Sequence, residues 1–118
     1  MFERKEEKTV PVSAVKRDLE KEKRQVAENL RDCSDQLDRR IRGLDEQIQK
    51  ADNNVKGSLG DLKTRLVKEK KKIDRSLKDI EQSTEKSWKQ VNTKAGEILT
   101  EANIEKHRIE ERVEDLID

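Results

Sequence analysis

The chain has 118 residues, of which 47% are charged and 30% are hydrophobic, and its formal net charge is +1. This apolar fraction is too low for a large compact core and is typical of long helices, coiled coils or disordered chains. The balance of 28 basic and 27 acidic residues argues against a nucleic-acid-binding protein, which needs a basic face to displace counterions. No stretch is apolar enough for a membrane span or a signal peptide, so a cytoplasmic location is expected.

Residues 1–10 are polar and patternless and are expected to fray. Pro11 suits the first turn of a helix, where its missing N–H costs nothing, and Ser13 is an alternative cap. The first helix is therefore predicted over residues 12–52.

A single apolar stripe begins at Leu19 and continues to Leu116 in steps of three, four or, at three places, seven residues. Its mean step of about 3.6 residues is the α-helical period. The additional steps of four relax a left-handed supercoil and predict nearly straight helices that pack side by side. The residues predicted to form this helix-packing interface are Leu19, Val26, Leu30, Cys33, Leu37, Ile41, Leu44, Ile48, Leu62, Leu66, Ile73, Leu77, Ile80, Trp88, Val91 and Ile98.

Charged residues flank the stripe at helical spacing. Seven pairs, such as Glu20 with Arg24 and Glu85 with Lys89, place an acid four residues before a base. Each such pair stabilises an isolated helix by about 0.2–0.5 kcal/mol. These pairs favour helix over random coil.

The stretch NNVKGSLGDL, residues 53–62, concentrates residues that are unfavourable in a helix. Gly57 and Gly60 each cost about 1 kcal/mol in a helix interior, and Ser58 with Asp61 matches a capping box. The sequence predicts a turn over 53–60 and a second helix over 61–117. The residues predicted to form the turn are Asn53, Asn54, Gly57, Ser58 and Gly60.

These elements predict an all-α protein whose long amphipathic helices form an antiparallel hairpin or coiled coil. Two alternatives stay open. The stripe keeps its phase through residues 51–62, as it would in a continuous rod more than about 100 Å long. A second break near QSTEKS, residues 82–87, would give a three-helix bundle, with Ser87 capping the last helix.

In the hairpin, the second arm is longer than the first, and about fifteen C-terminal residues extend beyond it. This end carries apolar residues off the main stripe, so we expect it to pack against another copy of the chain or another helical protein. The candidate oligomer contacts are Leu99, Ile104, Ile109, Val113, Leu116 and Ile117.

The segment KTRLVKEKKK, residues 63–72, carries six basic residues and gives an alternative function, peripheral contact with an anionic lipid surface. Lys70 falls on the stripe itself, where a lysine can set the register of packed helices. The basic residues concerned are Lys63, Arg65, Lys68, Lys70, Lys71 and Lys72.

The sequence offers little for chemistry. Its only cysteine, Cys33, lies on the stripe and is interpreted as a core residue; its only histidine, His107, is interpreted as a solvated side chain. A nucleophile needs an oriented base beside it, and neither residue is paired in this way. We expect no catalytic, cofactor or metal site and no small-molecule substrate.

The mix of Ala, Glu, Lys and Ile in AGEILTEANIEKHRIEERVEDL resembles the stalk helices of rotary ATPases, and NTKAGE resembles repeats of desiccation-protective proteins. Neither similarity carries a diagnostic motif, so no family is assigned. The expected function is a non-enzymatic, self-associating coiled-coil scaffold, spacer or adaptor. The alternatives are an amphipathic lipid-binding protein and a disordered protective protein.

Overall fold

The computed structural model describes residues 12–117, with side chains for residues 18–117. Within this range the chain forms three helices, which are α1 (Val12–Lys50), α2 (Asn53–Gln82) and α3 (Trp88–Ile117), and no strand. The all-α prediction is confirmed. The expectations for residues 1–10 and for the Pro11 and Ser13 caps fall outside the described backbone and side chains.

Ion pairs fix the direction of α2 relative to α1. Lys63 Nζ lies 2.6 Å from Asp45 Oδ1, and Lys70 Nζ lies 2.7 Å from Asp38 Oδ1. Residue numbers rise along α2 as they fall along α1, so these two helices are antiparallel.

Helix α3 returns in the direction of α1. Trp88 contacts Glu22, and Lys106 contacts Gln36, so the numbers rise together along both helices. The fold is an up-down-up three-helix bundle of 73 × 25 × 18 Å. A continuous helix over the same residues would extend about 160 Å. The structure therefore excludes the rod and has the architecture of the three-helix alternative.

The first reversal lies at Ala51 and Asp52, before the predicted turn. Asp52 has extended backbone (φ −71°, ψ 158°), and its carbonyl accepts the N–H groups of Val55 and Lys56. The helix predicted to reach residue 52 ends at Lys50. The predicted turn over residues 53–60 is wrong, because the structure places all of these residues in α2. This correction applies to Asn53, Asn54, Gly57, Ser58 and Gly60.

Packing explains why the glycines stay helical. Leu59 and Leu62 are only 0% and 4% exposed. Burying each leucine contributes about 1.5–3 kcal/mol, which exceeds the penalty of about 1 kcal/mol for each glycine. Residues 53–60 are therefore held in α2 by the side chains that it buries.

The second reversal divides the predicted helix 61–117 in two. Ser83 has extended backbone (φ −69°, ψ 146°). The N–H of Thr84 donates to Ser87 Oγ at 2.9 Å, and the N–H of Ser87 donates to Thr84 Oγ1 at 3.3 Å. This reciprocal pair is a capping box that starts at Thr84. Ser87 directly precedes α3, as predicted for its cap, but its hydroxyl contacts Thr84.

One row of buried residues recurs at every seventh position in each helix. All of them belong to one continuous hydrophobic core. This spacing is that of a narrow seam between packed helices. The residues are Leu30, Leu37 and Leu44 in α1, Leu59, Leu66, Ile73 and Ile80 in α2, and Trp88, Ala95, Ala102 and Ile109 in α3.

Candidate interaction surfaces

The predicted helix-packing residues lie inside the bundle. Each of them belongs to the hydrophobic core or packs against it. Those that are only partly buried are Leu19, Val26, Ile41, Ile48, Leu77, Val91 and Ile98. The stripe is consequently occupied by contacts within one chain.

The predicted oligomer contacts are divided between core and surface. Ile109 is buried, and Leu99, Val113 and Leu116 pack against the core. Ile104 and Ile117 are 47% and 51% exposed, the large apolar side chains of the described residues that face solvent most. The C-terminal segment was expected to extend beyond the first arm. It does not, because the second reversal folds α3 back along α1.

The basic segment 63–72 is largely engaged in ion pairs. Lys63 and Lys70 contact aspartates of α1, and Arg65 pairs with Glu105 of α3. Lys72 lies 3.5 Å from Glu69. The pairs of Lys63, Arg65 and Lys70 join α2 to both neighbours. Lys68 and Lys71 are the exposed lysines of the segment without an ion pair among the described residues.

Lys70 is the lysine that falls on the apolar stripe, and its side chain extends to Asp38 of α1. Its side chain is 30% exposed. The hydrogen bond to Asp38 raises the pKa of the Lys70 ammonium above its ordinary value. The pair connects one position of α1 to one position of α2, as a register-setting contact requires.

Trp88 closes the end of the bundle where α2 turns into α3. The side chain is 7% exposed. Its Nε1–H donates to Glu22 Oε2 at 2.9 Å, and Lys23 Nζ donates to the carbonyl of Ser83 at 3.1 Å. The adjacent residues Glu22 and Lys23 of α1 thereby contact the chain on both sides of the second reversal, at Trp88 and at Ser83.

Polar contacts also line the edge between α1 and α3. The Cys33 thiol lies 3.9 Å from Asn103 Oδ1, and Lys106 Nζ donates to Gln36 Oε1 at 2.6 Å. Further along, Arg40 Nε lies 3.2 Å from Glu110 Oε1. These contacts keep the two parallel helices in one register.

A groove of about 290 Å³ lies between α1 and α3 near the first reversal. Leu44, Leu66 and Ile109 line it, and a Cβ added at Gly43 would meet no atom within 4 Å. This volume is at the lower edge of ligand pockets, which are about 300–1,000 Å³. The groove is a gap between packed helices that could take one or two side chains.

Glu69 is a core-facing carboxylate that the sequence pattern did not reveal. It lies seven residues from both Leu62 and Ser76, which are buried. Its side chain is 12% exposed, and Oε2 has no hydrogen-bond partner in the described part of the chain. An acid therefore lies between Leu62 and Ser76 in a second buried row of α2, with its charge only partly compensated.

The sequence also missed buried residues beside the stripe, namely Ala27, Ser34 and Ser76. Each helix of a three-helix bundle touches two neighbours, so its buried face is wider than that of a hairpin helix. The neighbouring stripe residues were the available signal: Ala27 follows Val26, and Ser34 follows Cys33.

Burial raises the pKa of the Cys33 thiol, and nearby Glu69 acts in the same direction while Lys106 opposes them. His107 is exposed. Among the described residues, no group of three or more His, Cys, Asp or Glu side chains is placed to hold a metal ion. No helix in the same range has the length and apolar character needed to cross a membrane.

Comparison with protein-family models, curated proteins and solved structures gives no match.

Proposed function

We propose that the chain is a non-enzymatic, cytoplasmic scaffold or spacer that associates through coiled-coil packing, with a second copy of itself as its first partner. The observation that carries this proposal is the seven-residue recurrence of buried residues in all three helices. Such a seam accepts side chains from any helix with the same spacing, whether it belongs to the same chain or another.

The outer surface is compatible with this role. The bundle is elongated, 73 Å in its longest dimension, and its ion pairs connect neighbouring helices. Ile104 and Ile117 supply exposed apolar side chains on α3. An elongated bundle with a charged surface and a few apolar contacts is suited to holding partners at a set distance.

Mass in solution tests the proposal. Light scattering should give a mass that rises above 13.8 kDa as the protein is concentrated. The midpoint of thermal unfolding should rise over the same range, because mass action stabilises the associated state. A monomeric mass together with an unfolding midpoint that does not depend on concentration would contradict it.

Lipid binding has weaker support. A lipid-surface helix presents a broad apolar face to the bilayer, whereas the stripe of this chain faces inwards. Most of the basic segment is also paired with acids. Flotation with anionic vesicles separates the two functions: the scaffold should stay with the unbound fraction. A disordered protective chain would instead show little helix by circular dichroism at dilute concentration.

A further inference from the structure

The linker between α2 and α3 departs little from a helix. Ser83 is extended, but the N–H of Trp88 already donates to the carbonyl of Thr84 at 2.8 Å, and the N–H of Val91 donates to Ser87. Both are the i→i−4 bonds of an α-helix. The bend is therefore confined to the backbone around Ser83 and Thr84.

Apart from the Thr84–Ser87 capping box, no residue of the linker opposes a straight helix. Residues 83–87 contain neither glycine nor proline. No residue in the described range has positive φ. Ile80, Thr84, Trp88 and Val91 are spaced by four, four and three residues, so a helix through the linker would keep the apolar stripe on one face.

Among the described side chains, α3 has fewer buried residues than α1 or α2. Two of its four buried residues are Ala95 and Ala102, whereas α2 buries three leucines and two isoleucines. Alanine side chains add little apolar area to the core. Detaching α3 consequently exposes less apolar surface than detaching α2.

The register of the bundle allows the contacts of α3 with the other two helices to form between two chains. Arg65 of α2 pairs with Glu105 of α3, and both residues lie twenty positions from Glu85 in the linker. Two straight α2–α3 helices that cross antiparallel at Glu85 would form the same pair between chains. With a two-fold axis through the linker, the contacts of Trp88 with Glu22 and of Lys106 with Gln36 would also form between the chains.

We infer that residues 83–87 are a hinge that straightens, so that α3 leaves its own α1 and α2 and packs on those of a second copy. The partner surface is the face of α1 and α2 that α3 covers in the single chain. The inference rests on the proposed self-association and specifies its interface. Because the exchange joins two chains, a higher protein concentration shifts the equilibrium towards the dimer.

Crosslinking distinguishes an exchanged dimer from other dimers. In a Cys33→Ala background, Gln36→Cys with Lys106→Cys labels the contact between α1 and α3. A matched protein with Asp45→Cys and Lys63→Cys labels the contact between α1 and α2. Each protein is refolded at high concentration, fractionated by size and treated with a bis-maleimide, and its mass is then read on a denaturing gel.

The inference predicts a dimer fraction in which the 36–106 pair gives covalent dimers and the 45–63 pair gives crosslinked monomers. A dimer in which both pairs remain within one chain overturns the exchange but leaves self-association intact. Covalent dimers from both pairs would place the hinge at Ala51 and Asp52 instead. Failure to dimerise at any concentration would overturn both the exchange and the proposed function.

Hinge variants give an independent measurement. The triple change Ser83→Ala, Thr84→Ala and Ser87→Ala removes the capping box and favours a continuous helix. Its dimer dissociation constant should fall about tenfold or more, because the exchanged dimer contains two hinges and each of them loses one helix cap. Insertion of Gly-Ser-Gly after Ser83 should have the opposite effect, because a longer flexible linker lets α3 return to its own chain. Equal dissociation constants for the two variants would overturn the hinge.

Discussion

The indole N–H of Trp88, the first residue of α3, donates a hydrogen bond to the carboxylate of Glu22 on α1, with 2.9 Å between Nε1 and Oε2. This contact joins the start of the last helix to the first helix, 66 residues earlier in the chain. It combines a buried ring with a polar tip at the surface, the arrangement that tryptophan favours.

Truncation of this side chain tests how firmly α3 is held. Trp88→Ala should lower the free energy of unfolding by about 3–5 kcal/mol, because it removes the largest side chain of the core. The native protein should emit blue-shifted fluorescence that moves red on unfolding. Emission at the solvent wavelength from the native protein would contradict the burial of Trp88.

The hydrogen bond itself is measured by a milder pair of variants. Trp88→Phe keeps an aromatic ring but loses the donor, and should cost about 1–2 kcal/mol. Glu22→Gln keeps an acceptor oxygen and should cost less than Glu22→Ala. Equal effects of the two Glu22 variants would show that the bond contributes nothing to stability.

The glycines near the start of α2 give a prediction with the opposite sign. A Cβ added at Gly57 or Gly60 meets no atom within 4 Å, and both residues are helical with negative φ. Gly57→Ala and Gly60→Ala should each stabilise the bundle by up to about 1 kcal/mol. Urea denaturation measures the gain.

A control in the same stretch is Ser58→Gly, which should cost about 0.5 kcal/mol at an exposed helical position. If these residues formed a turn, the alanine variants would instead destabilise or elongate the molecule. Small-angle scattering would detect the elongation.

The period of the apolar stripe located the buried positions of the bundle. The stripe predicted Leu30, Leu37 and Leu66 as core residues, and all three are fully buried. Burial follows the period of the helix, so the positions could be found without knowing which helices pack together.

The two reversals do not change the spacing of the apolar stripe. Ala51 to Val55 and Ile80 to Thr84 are both steps of four, so the stripe stays in phase across each break. Helix propensity placed the first turn too late in the sequence. The glycines are concentrated after the first reversal, where buried leucines keep the chain helical. At the second reversal, the capping box uses Ser87 where the usual pattern has Glu or Gln.

Contacts at the edges of the bundle could not be predicted from the spacing of residues along the sequence. The pairing of Gln36 with Lys106 depends on α3 lying parallel to α1, which the hairpin prediction did not include. The six basic residues of 63–72 were visible in the sequence, but three of the acids that pair with them lie on other helices, namely Asp38, Asp45 and Glu105. The number of basic residues in the segment therefore did not predict how many of them lack an ion pair.

The thiol of Cys33 should report on opening of the bundle. It is 4% exposed, and burial raises its pKa, so little thiolate forms at neutral pH. Reaction with a disulfide reagent should be much slower in the native protein than in denaturant, and should accelerate as the pH rises. Equally fast labelling in the two states would mean that α1 and α3 separate freely around this position.

The Lys70–Asp38 pair predicts a loss of stability at alkaline pH. The pKa of Lys70 is raised from its ordinary 10.5, so the folded chain holds this proton more tightly than the unfolded chain. The contribution is complete below that ordinary value and disappears as the pH rises through the folded-state pKa. It should be about 0.5 kcal/mol, because both side chains are partly exposed.

A double-mutant cycle isolates this contribution from other lysines that titrate in the same range. Asp38→Asn, Lys70→Met and the double variant are unfolded with urea at neutral pH and at about pH 11.5, where most lysines are neutral. The coupling energy should be favourable at neutral pH and near zero at the higher pH. A coupling energy that does not change with pH would show that the charge of Lys70 has no role in holding the register.

The carboxylate of Glu69 lies between the buried residues Leu62 and Ser76 along α2, with one oxygen unpartnered in the described structure. Glu69→Leu should stabilise the bundle by about 1–2 kcal/mol, since it adds buried apolar surface and removes a partly desolvated charge. The lost contact with Lys72 lies at the surface and contributes little. Glu81→Leu, at an exposed position of the same helix, is the matched control and should change the free energy of unfolding by less than about 0.5 kcal/mol. Urea denaturation of both variants gives the comparison. Destabilisation by Glu69→Leu would mean that the carboxylate makes a contact that the bundle needs, and Glu69→Gln would then show whether its charge or its shape is required.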